Sequence, residues 1–278
     1  MESAEIGGVR LAYDVRGSGR NGTVVLAGGS GMPPFVWDLC GVNEALVAAG
    51  YQVVTYSARG VAPSAAPPPP YTIADLADDL AGLLAHLGIA DCQLVGYSLG
   101  GFVAELMARR RPDLIRAAIL LGSAGQPGPV ALARCDAEAE MVAALGYLPG
   151  PFMRFIELMT SLPPSVLRDD AALVATWWEL LGAHEDSWTS PDGVVGHSAA
   201  AVQWLKDGDH LARWAEITVP VLIACFEHDL FFPPAAGRAA AAAIPNGQFI
   251  EIPEAAHGGL LTHPMQCVDA IIHFLKAA

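Results

Sequence analysis

The chain has 278 residues, 53% of them hydrophobic and 16% charged, which is enough to bury one large core and too apolar for a disordered segment. Fifteen Lys and Arg against 29 Asp and Glu give a formal charge of −14, a surface that repels phosphate backbones and anionic headgroups and so excludes nucleic acid and membrane surfaces as expected partners. The 29 glycines and 21 prolines mark many turns, with no collagen-like period and no internal repeat.

In chain order, residues 9–16 and 23–28 predict two strands, the second built on the apolar run Thr23-Val24-Val25-Leu26-Ala27 and followed by Gly28-Gly29-Ser30-Gly31 and a helix near 36–49. Gln52 to Tyr56 predicts another strand, and Pro67 to Pro70 a stiff surface segment. Thr72 with Asp75 three residues on forms a capping-box pattern; Ile73, Leu76, Leu80, Leu83, Leu84 and Leu87 then recur at helical spacing until Gly88 stops the run. Leu94-Val95 predicts a short strand, Leu99 to Arg110 a helix, and Ile115 to Leu121 a buried strand. This alternation predicts right-handed crossovers and a mainly parallel sheet, an α/β fold covered by helices on both faces. From about 125 to 212 the sequence turns helical and irregular, with no convincing strand. The alternation resumes with a strand at Val219 to Phe226, a helix through 235–243, a strand at Gln248 to Ile252 and a helix at about 264–276. The expected organisation is therefore a core of 1–124 and 213–278 interrupted by a helical cap, 125–212.

Gly96-Tyr97-Ser98-Leu99-Gly100 follows an apolar strand and opens a helix, the setting for a sharp turn that lifts a serine hydroxyl clear of the backbone at a helix N-terminus. The plain alternative is a serine that only caps that helix. A serine hydroxyl needs a base, and of eight histidines His257 lies in a loop just past a strand, where functional side chains gather at the carboxyl edge of a parallel sheet. His86 and His273 fall inside predicted helices, His263 precedes Pro264, and His184, His197 and His210 lie in the insertion with solvent exposure as the expectation. The imidazole needs an acid to fix its tautomer; Asp229, after the strand 219–226, is the choice, with Glu227 as competitor. Expected oxyanion donors are the backbone N–H groups of Leu99 and Gly29. No metal motif is visible, and neither a metal nor a cofactor is expected.

Five scattered cysteines, odd in number and without a C-x-x-C pair, predict buried thiols in a reducing compartment. No secretory signal and no stretch long enough to span a bilayer is visible, so the expected location is cytoplasmic.

With these residues in view, the sequence resembles the α/β-hydrolase superfamily over nearly its whole length. Val9 to Tyr13, Tyr71 to Leu80, the elbow at Ser98, Val219 to Ile223, Asp229 and His257 carry the resemblance, which is closest in kind to the esterase, epoxide-hydrolase and carbon–carbon hydrolase branch. Two departures stand out. Ala27-Gly28 occupies the place where such proteins usually have His-Gly, leaving room for Ser30 as an extra hydroxyl donor, and Ser57 precedes Arg59-Gly60-Val61-Ala62-Pro63-Ser64 where Asp is frequent. A serine nucleophile argues against dehalogenase and epoxide-hydrolase chemistry.

The resemblance implies a serine-dependent hydrolase acting on an ester, thioester or activated carbonyl through an acyl-enzyme. Ser30, Met32, Phe35, Tyr97, Phe152, Phe155, Trp177 and Trp178 are the expected substrate contacts, favouring a small or medium-sized hydrophobic substrate. The high Ala, Pro and Gly content resembles proteins of GC-rich actinobacterial genomes, where such folds serve polyketide and other secondary metabolism. That opens a second reading, a lyase or cyclase using the same serine site for acetate elimination; a third is a non-catalytic ligand-binding member.

Overall fold

A computed structural model describes the backbone of residues 1–278 and every side chain except those of His184, Glu185 and Asp209. The expectation of a solvent-facing His184 falls outside the described side chains. Eight strands, β1 (Glu2–Ile6), β2 (Val9–Arg16), β3 (Thr23–Ala27), β4 (Gln52–Tyr56), β5 (Cys92–Tyr97), β6 (Ile115–Leu121), β7 (Val221–Phe226) and β8 (Gly247–Ile252), form one sheet in the order β1-β2-β4-β3-β5-β6-β7-β8. β1 and β2 run antiparallel and β2 pairs antiparallel with β4; all other neighbours are parallel. This is the predicted mainly parallel α/β architecture.

The central strands explain why their sequences are uninterrupted apolar runs. Val24, Val25, Leu94, Val95, Ile119 and Ile223 are all fully buried, because helices cover both faces. Ile73–His86, Leu99–Arg110 and Pro234–Ala243 pack into one hydrophobic cluster, and Val42–Ala48 and Pro264–Ala277 into the other. The Thr72–Asp75 capping box forms in both directions, Asp75 N–H donating to Thr72 Oγ1 at 3.0 Å and Thr72 N–H to Asp75 Oδ2 at 2.8 Å. The helix predicted over 36–49 is instead two, Val36–Leu39 and Val42–Ala48, broken where Gly41 adopts φ +74°. β1 was not predicted. Its Ala4 and Ile6 point inward while Glu2, Ser3 and Glu5 face solvent, and Gly7 and Gly8, both at positive φ, close a two-residue hairpin to β2.

Between β6 and β7 lie the helices Pro129–Leu145, Gly150–Ser161, Pro164–Asp169, Ala171–Glu185, Pro191–Lys206 and the single turn Asp209–Ala212, with no strand among the described residues. This segment rests on the carboxyl edge of the sheet. Its Thr160 and Ser161 carbonyls accept the N–H groups of His257 and Gly258, and Gly31 N–H donates to His197 Nδ1. Two of its histidines overturn the expectation of exposure: His197 is fully buried and His210 is 5% exposed. His197 Nε2–H donates to the Arg59 carbonyl at 2.7 Å, and His210 stacks on Trp204 and meets Glu105 Oε1 at 3.2 Å. Both rings fill the seam between helical segment and sheet, which is why they leave water. No helix among the described residues is long and apolar enough to cross a membrane.

All five cysteines are buried and free. Desolvation pushes the thiols of Cys40 and Cys135 up to about 11 and those of Cys92, Cys225 and Cys267 up to about 12. Ellman's reagent at pH 8 is therefore expected to titrate no thiol within minutes in the native protein and five after denaturation in guanidinium. One fast-reacting native thiol would contradict this burial.

Candidate active site

The sequence Gly96-Tyr97-Ser98-Leu99-Gly100 folds as a turn between β5 and the helix Leu99–Arg110. Ser98 holds φ 51° and ψ −121°, a conformation that costs an L-residue about 1–3 kcal/mol and persists only where surroundings enforce it. The flanking glycines do the enforcing. A Cβ on Gly96 would come within 2.2 Å of the Gly100 carbonyl oxygen, and one on Gly100 within 2.1 Å of the Ala27 carbonyl oxygen, so strand and helix approach as closely as backbone allows. Ser98 N–H is meanwhile anchored on the Leu121 carbonyl at the end of β6.

The loops after β7 and β8 bring their side chains to the same edge. Ser98 Oγ lies 2.9 Å from His257 Nε2, and His257 Nδ1 lies 2.8 Å from Asp229 Oδ2. Asp229 Oδ1 accepts the N–H groups of Phe231 at 2.7 Å and Phe232 at 3.1 Å, so both carboxylate oxygens are occupied by donors and the side chain is fully buried. With Nδ1–H donated to Asp229, the lone pair of Nε2 faces the serine hydroxyl, the arrangement a proton acceptor needs. Glu227 is directed elsewhere: its Oε2 accepts the Glu254 N–H at 2.8 Å. Glu227, His228 and Glu254 form a group with ligand atoms within 4.8 Å of one another, on the exposed rim of these loops. Tyr97 holds His257 from the other side, its hydroxyl donating to the His257 carbonyl at 2.7 Å and its ring stacking 5.7 Å away. Burial drives the Tyr97 hydroxyl pKa well above its ordinary value, so it acts as a donor.

The two expected oxyanion amides differ in their surroundings. Leu99 opens the helix, so its N–H has no partner within the helix. Gly29 lies against Ser98, its implied Cβ only 3.3 Å from the Ser98 Cβ, but its N–H donates to the sulfur of Met32 at 3.4 Å. Met32 thus covers one of the two donors, and a carbonyl oxygen entering there must displace a thioether, a weak acceptor. Met32→Leu keeps the volume and removes the acceptor. Its expected effect is a rise in kcat/KM of up to about fivefold for a simple ester, the equivalent of one weak hydrogen bond near 1 kcal/mol, with a slightly lower Tm because the amide loses a partner. Steady-state kinetics of the two proteins on one ester checks it, and unchanged or lowered kcat/KM removes Met32 from the oxyanion site.

A cavity with two lobes opens at this point, both reaching Ser30, Ser98, Arg134, Glu157, Phe231 and His257. Of the expected contacts, Ser30, Met32, Phe35, Tyr97 and Trp177 line it. Phe152, Phe155 and Trp178 do not. On the helix Gly150–Ser161 the inward positions are Met153, Glu157 and Thr160, four and seven residues apart, and this period carries Phe152 and Phe155 away from the cavity, leaving Phe155 50% exposed. Trp178 sits one position round from Trp177 and stacks on the Arg154 guanidinium at 4.0 Å.

Several cavity residues carry no strong sequence signal. Arg134, Glu138 and Ser198 line one lobe, with His197 and Trp188 beside them. The trace that does exist is the spacing of Ala131, Cys135 and Glu138, a buried face at four and seven residues, with Glu138 four residues after Arg134.

The model of the family described as alpha/beta hydrolase fold matches residues 24–264. A Mycobacterium tuberculosis protein that carries the name non-heme bromoperoxidase BpoC is 30% identical over 271 residues, covering 97% of this chain and 98% of its own. The pimeloyl-[acyl-carrier protein] methyl ester esterase of Chromobacterium violaceum is also 30% identical, over 72% of this chain and 76% of its own. Among solved structures, the enol-lactonase of Burkholderia xenovorans superposes with a TM-score of 0.81 at 25% identity, over 99% of this chain and all of that one.

Proposed function

The chain belongs to the α/β-hydrolase family, and from that premise we propose that it is a serine hydrolase that cleaves an ester, thioester or activated carbonyl of a medium-sized hydrophobic substrate through an acyl-enzyme. The observation that carries the proposal is the row Ser98 Oγ, His257 Nε2, His257 Nδ1, Asp229 Oδ2, closed by hydrogen bonds of 2.9 and 2.8 Å at the mouth of a cavity. Residues 125–212 act as the cap over that cavity. The esterase and lactonase names of similar proteins favour chemistry at an acyl–oxygen bond over elimination.

In this reading His257 takes the Ser98 proton as Oγ bonds to the substrate carbonyl carbon. The negative charge that develops on the carbonyl oxygen is met by the Leu99 and Gly29 N–H groups, the latter after Met32 moves aside. Asp229 stabilises the imidazolium. His257 then delivers its proton to the leaving oxygen or sulfur as that bond breaks; a water, deprotonated by the same nitrogen, bonds to the acyl carbon, and the acid leaves as the bond to Ser98 Oγ breaks and His257 returns the proton to that oxygen.

Rapid mixing with p-nitrophenyl butyrate tests the proposal. A burst of about one equivalent of p-nitrophenol, followed by slower turnover, is expected for an acyl-enzyme. Reaction in oxygen-18 water should place one label in the released acid. Neither burst nor turnover over a range of chain lengths would defeat the hydrolase reading, and conversion of 3-oxobutyl acetate, whose leaving arm can eliminate, to an enone and unlabelled acetate would replace it with elimination.

A further inference from the structure

We propose that Arg134 is a substrate-recognition residue, donating from its terminal nitrogens to an uncharged oxygen (a ketone, ester carbonyl or hydroxyl) on one arm of the substrate. The inference deepens the serine-hydrolase reading and rests on it for the presence of a substrate in the cavity.

Arg134 lines both lobes of the cavity, as do Ser98 and His257. Its guanidinium lies over the Phe231 ring at 5.3 Å, and that ring meets His257 edge-on at 4.9 Å, so one aromatic ring separates the cation from the base. Its Nε donates to Glu138 Oε1 at 2.5 Å, and Glu138 is held in turn by the Ser198 hydroxyl on its other oxygen. The guanidinium is thus fixed by one edge. Nη1 and Nη2 make no hydrogen bond among the described residues and are not fully enclosed; the side chain lines the cavity and keeps 22% of its surface accessible. Burial alone would weaken its charge, but Glu138 and Glu157 outweigh that and hold its pKa above the ordinary value.

An arginine is an expensive lining for a cavity whose second lobe, besides Arg134, Glu157 and a few hydroxyl groups, is walled by Met32, Phe35, Leu39, Trp177, Leu181 and Leu261. Up to four N–H donors, already clamped in direction, are complementary to an oxygen acceptor and to nothing in a hydrocarbon chain. The charge balance decides which oxygen. Glu138 already neutralises the guanidinium, so an anionic substrate group would bring an unbalanced negative charge into a site of low dielectric. A neutral oxygen gains the hydrogen bonds without that imbalance. The oxygenated arm therefore lies where the guanidinium reaches it and the hydrocarbon arm along Met32, Phe35 and Trp177, with the scissile carbonyl between them at Ser98.

The test compares p-nitrophenyl pentanoate, 4-oxopentanoate and hemisuccinate, which place a methylene, a ketone or a carboxylate along similar acyl chains. Butyl and 3-oxobutyl butyrate place the same change in the leaving arm. In the unaltered protein the ketone ester of one series is expected to exceed its hydrocarbon partner roughly ten- to hundredfold in kcat/KM, with hemisuccinate the poorest acyl donor. Arg134→Met is expected to bring the ketone-to-hydrocarbon ratio close to one. Because that change leaves the Glu138 carboxylate without its cation, the double variant Arg134→Met, Glu138→Gln is measured beside it and should give the same ratio. A ratio near one in the unaltered protein for both arms, a ratio that Arg134→Met preserves, or preference for hemisuccinate would overturn the proposal. Calorimetry with the non-cleavable N-butyl amides of pentanoic and 4-oxopentanoic acid, and with N-(3-oxobutyl)pentanamide, separates it from the hydrolase reading. If either ketone amide binds tighter than N-butyl pentanamide only when Arg134 is present, recognition stands even in a protein that turns over no ester; equal binding overturns it.

Discussion

Ser98→Ala is expected to abolish labelling by a fluorophosphonate and to lower ester turnover by about 10⁴-fold or more, the scale set by residues that act as one unit. Ser98 Oγ–H donates to His257 Nε2 at 2.9 Å, and among the described residues no other side chain reaches that nitrogen. The expected loss is one of chemistry and not of folding. The backbone at Ser98, φ 51°, is held by the glycines around it and by the Leu121 carbonyl, none of which needs the hydroxyl. Thermal unfolding of the variant should therefore match the unaltered protein within a few degrees. Adding His257→Ala to Ser98→Ala should cost little more, because removing either member already disables the pair. Turnover within tenfold of the original in a folded Ser98→Ala protein would remove Ser98 as nucleophile.

What the sequence discloses and what it hides follow the same physics. Main-chain necessity is legible. Gly96 and Gly100 have to be glycine because carbonyl oxygens stand 2.2 and 2.1 Å from where their Cβ atoms would be, and such constraints appear as a short local pattern. Loops that follow strands are legible too, which puts Asp229 and His257 at the edge where β5, β7 and β8 end. Direction on a helix is harder. The aromatic residues of 125–212 are evident as composition, but whether Trp177 or Trp178 faces inward depends on about 100° of rotation that the mixed periodicity of this stretch does not fix.

Two further failures have the same origin in tertiary context. β1 has only two inward residues, Ala4 and Ile6, beside two glutamates, and its strand character comes from pairing with β2. His197 and His210 look like ordinary polar positions in the insertion, yet they are buried by contacts with Gly31, Arg59 and Glu105 that are remote in the chain. His197 deserves comparison with Ala27. The loop after β3 lacks the histidine usual before its first glycine, and here a histidine from the helix Pro191–Lys206 clasps that loop through the Gly31 N–H. Local sequence shows the missing residue; only the fold shows the contact that stands in its region.

Asp229→Asn is expected to lower kcat by about 10⁴-fold with little change in the fold, and the reason lies in two backbone amides. Phe231 and Phe232 N–H groups both point at Oδ1, at 2.7 and 3.1 Å. In asparagine the single oxygen has to take that place, since turning the amide round would set its NH₂ against two buried donors at a cost of about 1–3 kcal/mol each. The NH₂ then faces His257 Nδ1, where the carboxylate oxygen Oδ2 stood at 2.8 Å. A ring nitrogen facing a donor must accept, so the imidazole proton moves to Nε2 and points at Ser98 Oγ. The base is then blocked at the nitrogen that has to receive the serine proton. This predicts a fall in kcat with KM within a few-fold, a matching fall in the rate of fluorophosphonate labelling, and an Nε2-bound proton in the nitrogen-15 spectrum of the histidine. Glu227→Gln supplies the contrast: its carboxylate serves the Glu254 N–H at an exposed loop, and its loss should leave kcat within about threefold, as for surface changes away from a buried network. If Glu227→Gln collapses activity while Asp229→Asn keeps more than a tenth of it, the acid that orients the base has been placed on the wrong side of the loop.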